Sequence, residues 1–251
     1  MWCTEESQIK NIAVDYYQSL FSSSSPSELE KILEKIQTSV TKPMNLTLLK
    51  DFSRDEVESA LKQMEPITAP GLDGMPPIFY QSFWSSDGDD VCSAVLDCLH
   101  NCKIPKEINH TYIALIPKVK SPERITEFRP ISLCIMIYKV VSKVLAKRLK
   151  GILPFVVSKN QSAFQAGRLI TDNILMAFET LHYMKHHKNG KTRFMAMKLD
   201  MSKAYDWVEW KYLEQIMIRM GFAERWVALM MECISTVSYS ILINGNPTPI
   251  I

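Results

Sequence analysis

Apolar residues recur at helical spacing along much of the first hundred positions. Ile9, Ile12, Ala13, Tyr16, Tyr17 and Leu20 fall on one face of a 3.6-residue period, and Leu29, Ile32, Leu33 and Ile36 repeat the pattern. Between them, Ser22-Ser23-Ser24-Ser25-Pro26 reads as a loop. Ser53 and Glu56 form a Ser-x-x-Glu capping box, and Val57, Leu61 and Met64 mark the buried stripe of the helix it starts. Ala69-Pro70-Gly71-Leu72-Asp73-Gly74 is a loop, because two glycines and a proline punctuate six residues. Helical patterns return around Pro77–Trp84 and Val91–Leu99.

The middle of the chain changes period. Thr111–Ile116 is β-branched and aromatic and ends at Pro117, and Phe128–Leu133 is a second, shorter strand. A helix from about Ile135 to Lys150 stops at Gly151. Ile174, Phe178 and Leu181 mark another helix, with Thr171 or Asp172 as its N-cap, and Asn189-Gly190 is a turn. Phe194–Asp200 alternates, with Met195, Met197 and Leu199 to one side, and predicts a strand ending at Asp200. Asp206 and Glu209 can cap a helix that runs to Gly221, and another helix covers roughly residues 223–234. Val237–Ile243 predicts a strand leading into an Asn244-Gly245 hairpin turn. No internal repeat or heptad array is visible. The fold class expected is α+β.

Composition narrows the class. A chain of 251 residues with 47% hydrophobic and 22% charged residues builds an ordinary globular core. No apolar run reaches the roughly 20 residues of a membrane span, and the N-terminus lacks the pattern of a signal peptide. The six cysteines are irregularly spaced and are expected to be reduced thiols, in the nucleus or cytoplasm. The net charge of +2 conceals an asymmetry: residues 101–168 carry 13 Lys/Arg against 3 Asp/Glu, while residues 1–100 carry 7 against 16. A basic block of this kind points to a polyanion partner, or else to a basic surface balanced by the acidic N-terminal third.

Asp200 is the first residue with candidate chemistry. A carboxylate at a rigid strand end can hold Mg²⁺ against phosphate oxygens. Nucleotidyl transfer uses two such ions about 3.5–4 Å apart. A bare strand-end aspartate is more often only a turn residue. Lys139, Lys143 and Lys147 share one helix face and form either a phosphate-facing stripe or a solvated one. Gly88-Asp89-Asp90 lacks an apolar strand before it, and Cys92, Cys98, His100 and Cys102 lack the paired arms of a zinc site.

Lys198-Leu199-Asp200-Met201-Ser202-Lys203-Ala204-Tyr205-Asp206 resembles motif A of the reverse transcriptases of plant-type LINE (non-long-terminal-repeat) retrotransposons. Four further segments follow the family's order. Ile116-Pro117-Lys118 and Phe128-Arg129-Pro130-Ile131-Ser132-Leu133 are similar to its fingers motifs. Gln161-Ser162-Ala163-Phe164-Gln165-Ala166-Gly167-Arg168 is similar to the motif along the template path. The Ala69–Gly74 loop resembles the N-terminal extension motif that contacts template. Leu72, Thr68 and Trp207 depart from the family's usual proline, lysine and basic residue.

The resemblance implies right-hand polymerase fingers and an incomplete palm behind a helical N-terminal region. Residues 1–52 would be the helical region, 53–192 the extension and fingers, and 193–251 the partial palm. It further implies Asp200 as the catalytic, Mg²⁺-binding aspartate, with Tyr205 as the gate under the nucleotide sugar. Lys118 and Arg129 would grip the triphosphate. Gly71, Asp73, Gly74, Lys139, Lys143, Lys147, Gln161 and Arg168 would contact nucleic acid. The partners expected are an RNA template, a DNA primer and dNTPs.

The family's Gln-Gly-Asp-Pro and Ala-Asp-Asp motifs do not occur in the 251 residues, so the expectation is a fragment. By itself such a fragment is expected to be poorly soluble, with Val237–Ile243 as an unpaired edge, and unable to extend a primer. A non-catalytic nucleic-acid-binding remnant and an intron-maturase-type enzyme are the alternatives. The Ala-Pro-Gly loop and the Lys-Ala-Tyr-Asp wording favour LINE over maturase.

Overall fold

The computed structural model describes residues 3–26, 29–163, 165, 167–187, 194–201 and 203–251. The Asn189-Gly190 turn and the motif residues Phe164, Ala166 and Ser202 lie outside them. The order begins with six helices: α1 (Glu6–Phe21), α2 (Leu29–Leu33), α3 (Lys42–Leu49), α4 (Arg54–Lys62), α5 (Pro77–Ser82) and α6 (Trp84–Asn101). The hairpin of β1 (His110–Pro117) and β2 (Phe128–Leu133) follows, then α7 (Met136–Lys150), α8 (Leu153–Val156) and α9 (Ile170–His186). The chain continues through α10 (Trp210–Met220), α11 (Glu224–Ser235), β3 (Ser238–Ile243) and β4 (Asn246–Pro247).

The larger core is helical. Val57 and Leu61 of α4, Val95 and Leu99 of α6, and Val140, Val141 and Val144 of α7 are buried together with Trp226 of α11. The capping box forms as expected: the Ser53 hydroxyl accepts the Glu56 N–H, and the Ser53 N–H donates to the Glu56 carboxylate at 3.0 Å. One residue fastens the rim of this core. Arg148, near the end of α7, donates twice to the Glu56 carboxylate at 2.7 and 2.8 Å and to the backbone carbonyls of Leu48, Lys50 and Asp51. Its guanidinium also lies 3.7 Å from the Phe52 ring centroid.

The sheet has the order β2-β1-β3-β4, with β1 antiparallel to β2 and parallel to β3. Side chains alternate along a strand, so Thr111 and Ile113 fall on one face and His110, Tyr112 and Ala114 on the other. The first face is a second, smaller core. There Ile113, Ile241 and Ile243 pack against Ala13 and Tyr17 of α1, and the Phe21 and Tyr239 rings lie 5.1 Å apart.

Four expectations are corrected. Val237–Ile243 is no open edge: β3 is flanked by β1, and the returning chain pairs with it from Asn246 to Ile251. Ile251 and Tyr239 exchange both backbone hydrogen bonds, at 2.8 and 3.2 Å.

Residues 194–201 form no strand. Alternation yields a strand only where a neighbour takes up its N–H and C=O groups, and no strand of the described sheet runs beside them. Met195, Met197 and Leu199 are accordingly 81%, 69% and 81% exposed.

Asp206 caps nothing, because α10 starts at Trp210 with Glu209 as its N-cap residue and without a side-chain cap. The helix α9 begins after Leu169, with Asp172 reaching back to the Leu169 N–H at 3.0 Å.

Candidate functional site

The hairpin β1–β2 carries two of the expected cations. Ile116 lies opposite Arg129 in the antiparallel register. Lys118 continues the side of Ile116, since it lies two residues further on, so Lys118 and Arg129 project from the same face. That face is the one turned away from α1. Arg129 and Lys118 are both exposed. The Lys118 ammonium donates to the Thr126 carbonyl at 2.9 Å, and its backbone N–H donates to the Glu127 carbonyl at 2.7 Å, so the tip is closed on itself. Backbone N–H groups of Glu123 and Arg124 hold the Glu127 carboxyl below the usual carboxylate range. A strand edge position also explains Pro130: β2 is the outermost strand, where a missing N–H costs no ladder bond.

The lysine face of α7 is engaged by the protein. Lys139 donates to the Ala69 carbonyl at 2.6 Å, and Lys147 donates to the Ser59 hydroxyl at 2.7 Å. Lys143, between them, is half-buried. Arg168 likewise turns onto its own loop and donates to the carbonyls of Ser158 (3.1 Å) and Gln161. The loop residues Gly71 and Asp73 lie against the start of α7, with the Asp73 carboxylate accepting the Met136 N–H at 3.3 Å. Tyr80 stands beside this loop; burial raises its phenol above the ordinary range, and the charges of Asp73 and Asp87 add to the shift.

Asp200 is exposed on the irregular segment that precedes Lys203, and Tyr205 is 76% exposed. Among the described residues, no hydrogen bond or ion pair joins Asp200 to Lys118 or Arg129. No three His, Cys, Asp or Glu side chains among them converge as a metal site. The segment after Asp200 leans on α1. Lys203 contacts the Tyr16 hydroxyl and sits 4.3 Å from its ring centroid, and Glu209 accepts hydrogen bonds from Ser23 and Ser24. Asp206 lies near the buried phenol of Tyr17 and the half-buried phenol of Tyr239. Burial is the larger cause of both being pushed up to about 12, and the Asp206 charge adds to it.

The sequence reading missed the Arg148 hub and the attachment of the 69–74 loop to α7. Arg148 lies in the basic last turn of α7. The available signal was its place three residues after Leu145 and four after Val144, in line with the apolar stripe, which turns its stem toward α4.

Comparison with known proteins places these elements. The family model for reverse transcriptase (RNA-dependent DNA polymerase) matches residues 116–249, more than half the chain, and takes in Lys118, Arg129, Asp200 and Tyr205. A relative among curated proteins, the Transposon TX1 uncharacterized 149 kDa protein of Xenopus laevis, is 29% identical over 241 residues. That alignment covers 93% of this chain and 18% of the relative, so the chain spans less than a fifth of the protein it resembles. The family in general works with divalent metal ions on nucleic-acid and nucleotide substrates. The motifs and the match agree, and the chain belongs to the reverse transcriptase family.

Proposed function

We propose that this chain forms the fingers and the first palm segment of an RNA-directed DNA polymerase of a non-long-terminal-repeat retrotransposon. The substrates are an RNA template, a DNA primer and dNTPs. Lys118 and Arg129 hold the nucleotide's phosphates, Asp200 is the metal-binding carboxylate, and Tyr205 selects against a ribose 2′-OH. The observation that carries this reading is the shared, outward face of Lys118 and Arg129 on a hairpin whose other face is buried by α1. Arg offers a planar fork of donors to phosphate oxygens and Lys a mobile point charge, so the pair supports recognition of a triphosphate. The plant-type lineage rests on motif wording alone.

Mg²⁺ is the expected cofactor. Asp200 is an appropriate hard oxygen donor, but one exposed carboxylate does not assemble a two-ion centre. What these residues do is bind and orient phosphate charge.

Nucleotide titration tests the reading. With a fluorescent dNTP in Mg²⁺ buffer, Lys118→Ala and Arg129→Ala should each weaken binding about tenfold or more, the scale of one charge-assisted contact of about 1.4 kcal/mol. Tyr205→Ala should narrow the preference for dNTP over rNTP. Equal affinity of wild type and both cation variants would show that this face does not hold triphosphate.

A further inference from the structure

The loop 69–74 was expected to touch template; it is largely exposed, and Ala69, Gly71 and Asp73 also tie it to the start of α7. Gly71 packs directly on the chain where β2 turns into α7. A Cβ at Gly71 would lie 2.5 Å from the Ile135 nitrogen and 2.6 Å from both the Cys134 carbonyl carbon and the Ile135 Cα. These are backbone atoms, so they cannot swing aside. Asp73 divides its carboxylate: one oxygen accepts the Met75 N–H at 3.3 Å and the other the Met136 N–H at 3.3 Å. Met136 is the first residue of α7, whose own N-cap residue, Ile135, has no side-chain oxygen to offer. Asp73 therefore supplies the missing cap from 63 residues away in sequence. Lys139, one turn into α7, completes the attachment by donating to the Ala69 carbonyl at 2.6 Å.

The position of this joint matters because of what hangs from it. The root of the hairpin is the pair Tyr112–Leu133, and its tip is the pair Pro117–Phe128. At about 3.3 Å per residue, the tip stands roughly 17 Å from the root. An angular slack of roughly 6° at the root moves the tip by roughly 1.8 Å over that length. Displacements of about 1 Å at a contact can cost about 100-fold in rate. Among the described residues β2 has a strand neighbour on one side only, so the strand-to-helix joint is another place where its direction can be held.

We propose that Asp73, with Gly71 and Lys139, is a positioning residue for nucleotide binding: it caps α7 and thereby fixes the hairpin that carries Lys118 and Arg129. The inference rests on the nucleotide-binding reading of those two cations. It assigns the loop a role in aiming the hairpin.

The test is the same fluorescent dNTP titration on the full 251-residue chain, with wild type, Asp73→Ala, Asp73→Asn and Lys118→Ala, together with hydrogen exchange at the Met136 amide. Asparagine keeps a capping oxygen and alanine does not. Asp73→Ala should raise Kd at least fivefold and speed exchange at Met136, while Asp73→Asn stays within about twofold of wild type in both. A far-UV spectrum and urea midpoint close to wild type would show that Asp73→Ala is folded. Should Asp73→Ala bind as tightly as wild type while Lys118→Ala does not, the positioning role falls and the nucleotide site stands. If Asp73→Asn is as weak as Asp73→Ala with Met136 still protected, the carboxylate acts on the ligand directly, and the positioning role again falls. Wild type that does not bind nucleotide, or binds it as Lys118→Ala does, removes both readings.

Discussion

Replacing Arg148 by methionine should be among the most damaging single changes to this fold. The side chain is only 7% exposed, and it makes five hydrogen bonds to Glu56, Leu48, Lys50 and Asp51 as well as stacking on Phe52. Methionine keeps the apolar stem but removes two hydrogen bonds from the Glu56 carboxylate and the guanidinium donor from three carbonyls. Breaking a buried ion pair from one side costs about 3–5 kcal/mol. Glu56 remains 34% exposed and regains water, so the lower end applies, about 3 kcal/mol. For a chain of this size that corresponds to a fall in Tm of about 6–12 °C. Arg148→Lys keeps the charge without the fork and should recover only part of the loss.

The pair also sets an acid dependence. Arg148 holds the Glu56 carboxyl below its ordinary range, despite an opposing contribution from burial. A depressed folded pKa gives stability that is full above the unfolded value of about 4.3 and is lost as pH falls through the folded value. Urea unfolding of wild type and variant at pH 7 and pH 3 reads both effects. A difference under about 1 kcal/mol at pH 7, or one that does not shrink at pH 3, would refute the account.

Three further outcomes follow from particular contacts. Gly221→Ala should cost about 1–3 kcal/mol in chemical denaturation, because Gly221 has φ +90° and a Cβ there would meet Thr38 Cγ2 at 2.8 Å; an unchanged midpoint would contradict this. Alkaline unfolding should set in above pH 10. Tyr17 and Tyr239 are pushed up to about 12, chiefly by burial, so their contribution is full below the ordinary phenol value of about 10 and lost as pH rises toward 12; a urea midpoint equal at pH 9 and pH 11.5 would count against it. Binding of single-stranded RNA should weaken steeply between 50 and 200 mM salt, and Arg129→Ala should flatten the log–log slope by about 0.7; salt-independent binding would show that the basic block does not meet phosphate.

The sequence showed the helical core and the hairpin well because both are local. The stripe of Val140, Val141 and Val144, the Ser53–Glu56 box and the strand Phe128–Leu133 each declare themselves within a dozen residues. What it could not show was pairing at a distance. Phe194–Asp200 has the alternation of a strand, but alternation does not supply a neighbour. Val237–Ile243 gave no sign that β1 would lie beside it in parallel. Asp73 and Met136 likewise meet only because α4, α6 and α7 share a core. Of the candidate site, the identities of Lys118 and Arg129 were legible through their motifs, and their common face through strand parity. The inward engagement of Lys139, Lys147 and Arg168 was not, since a lysine or arginine on a helix or loop looks the same in sequence whether it meets phosphate or a neighbouring carbonyl.

The parallel pairing of β1 with β3 has a consequence for how this chain comes to be folded. His110–Ala114 can acquire that neighbour only after Ser238–Leu242 has been made. At a synthesis rate of about 5–20 residues per second, the roughly 120 residues in between take roughly 6–24 s. Throughout that interval the hairpin has its β2 partner, while the other side of β1, including Ile113, stands ready to pair with any extended chain it meets. Long-range strand pairing of this kind is also slow once the residues are present, because loop closure precedes its reward. A nascent chain that reaches Leu133 early and Ile241 late is thus most prone to misassembly at one identifiable place, the β3-facing side of β1, and a chaperone that holds extended apolar segments would find its substrate there.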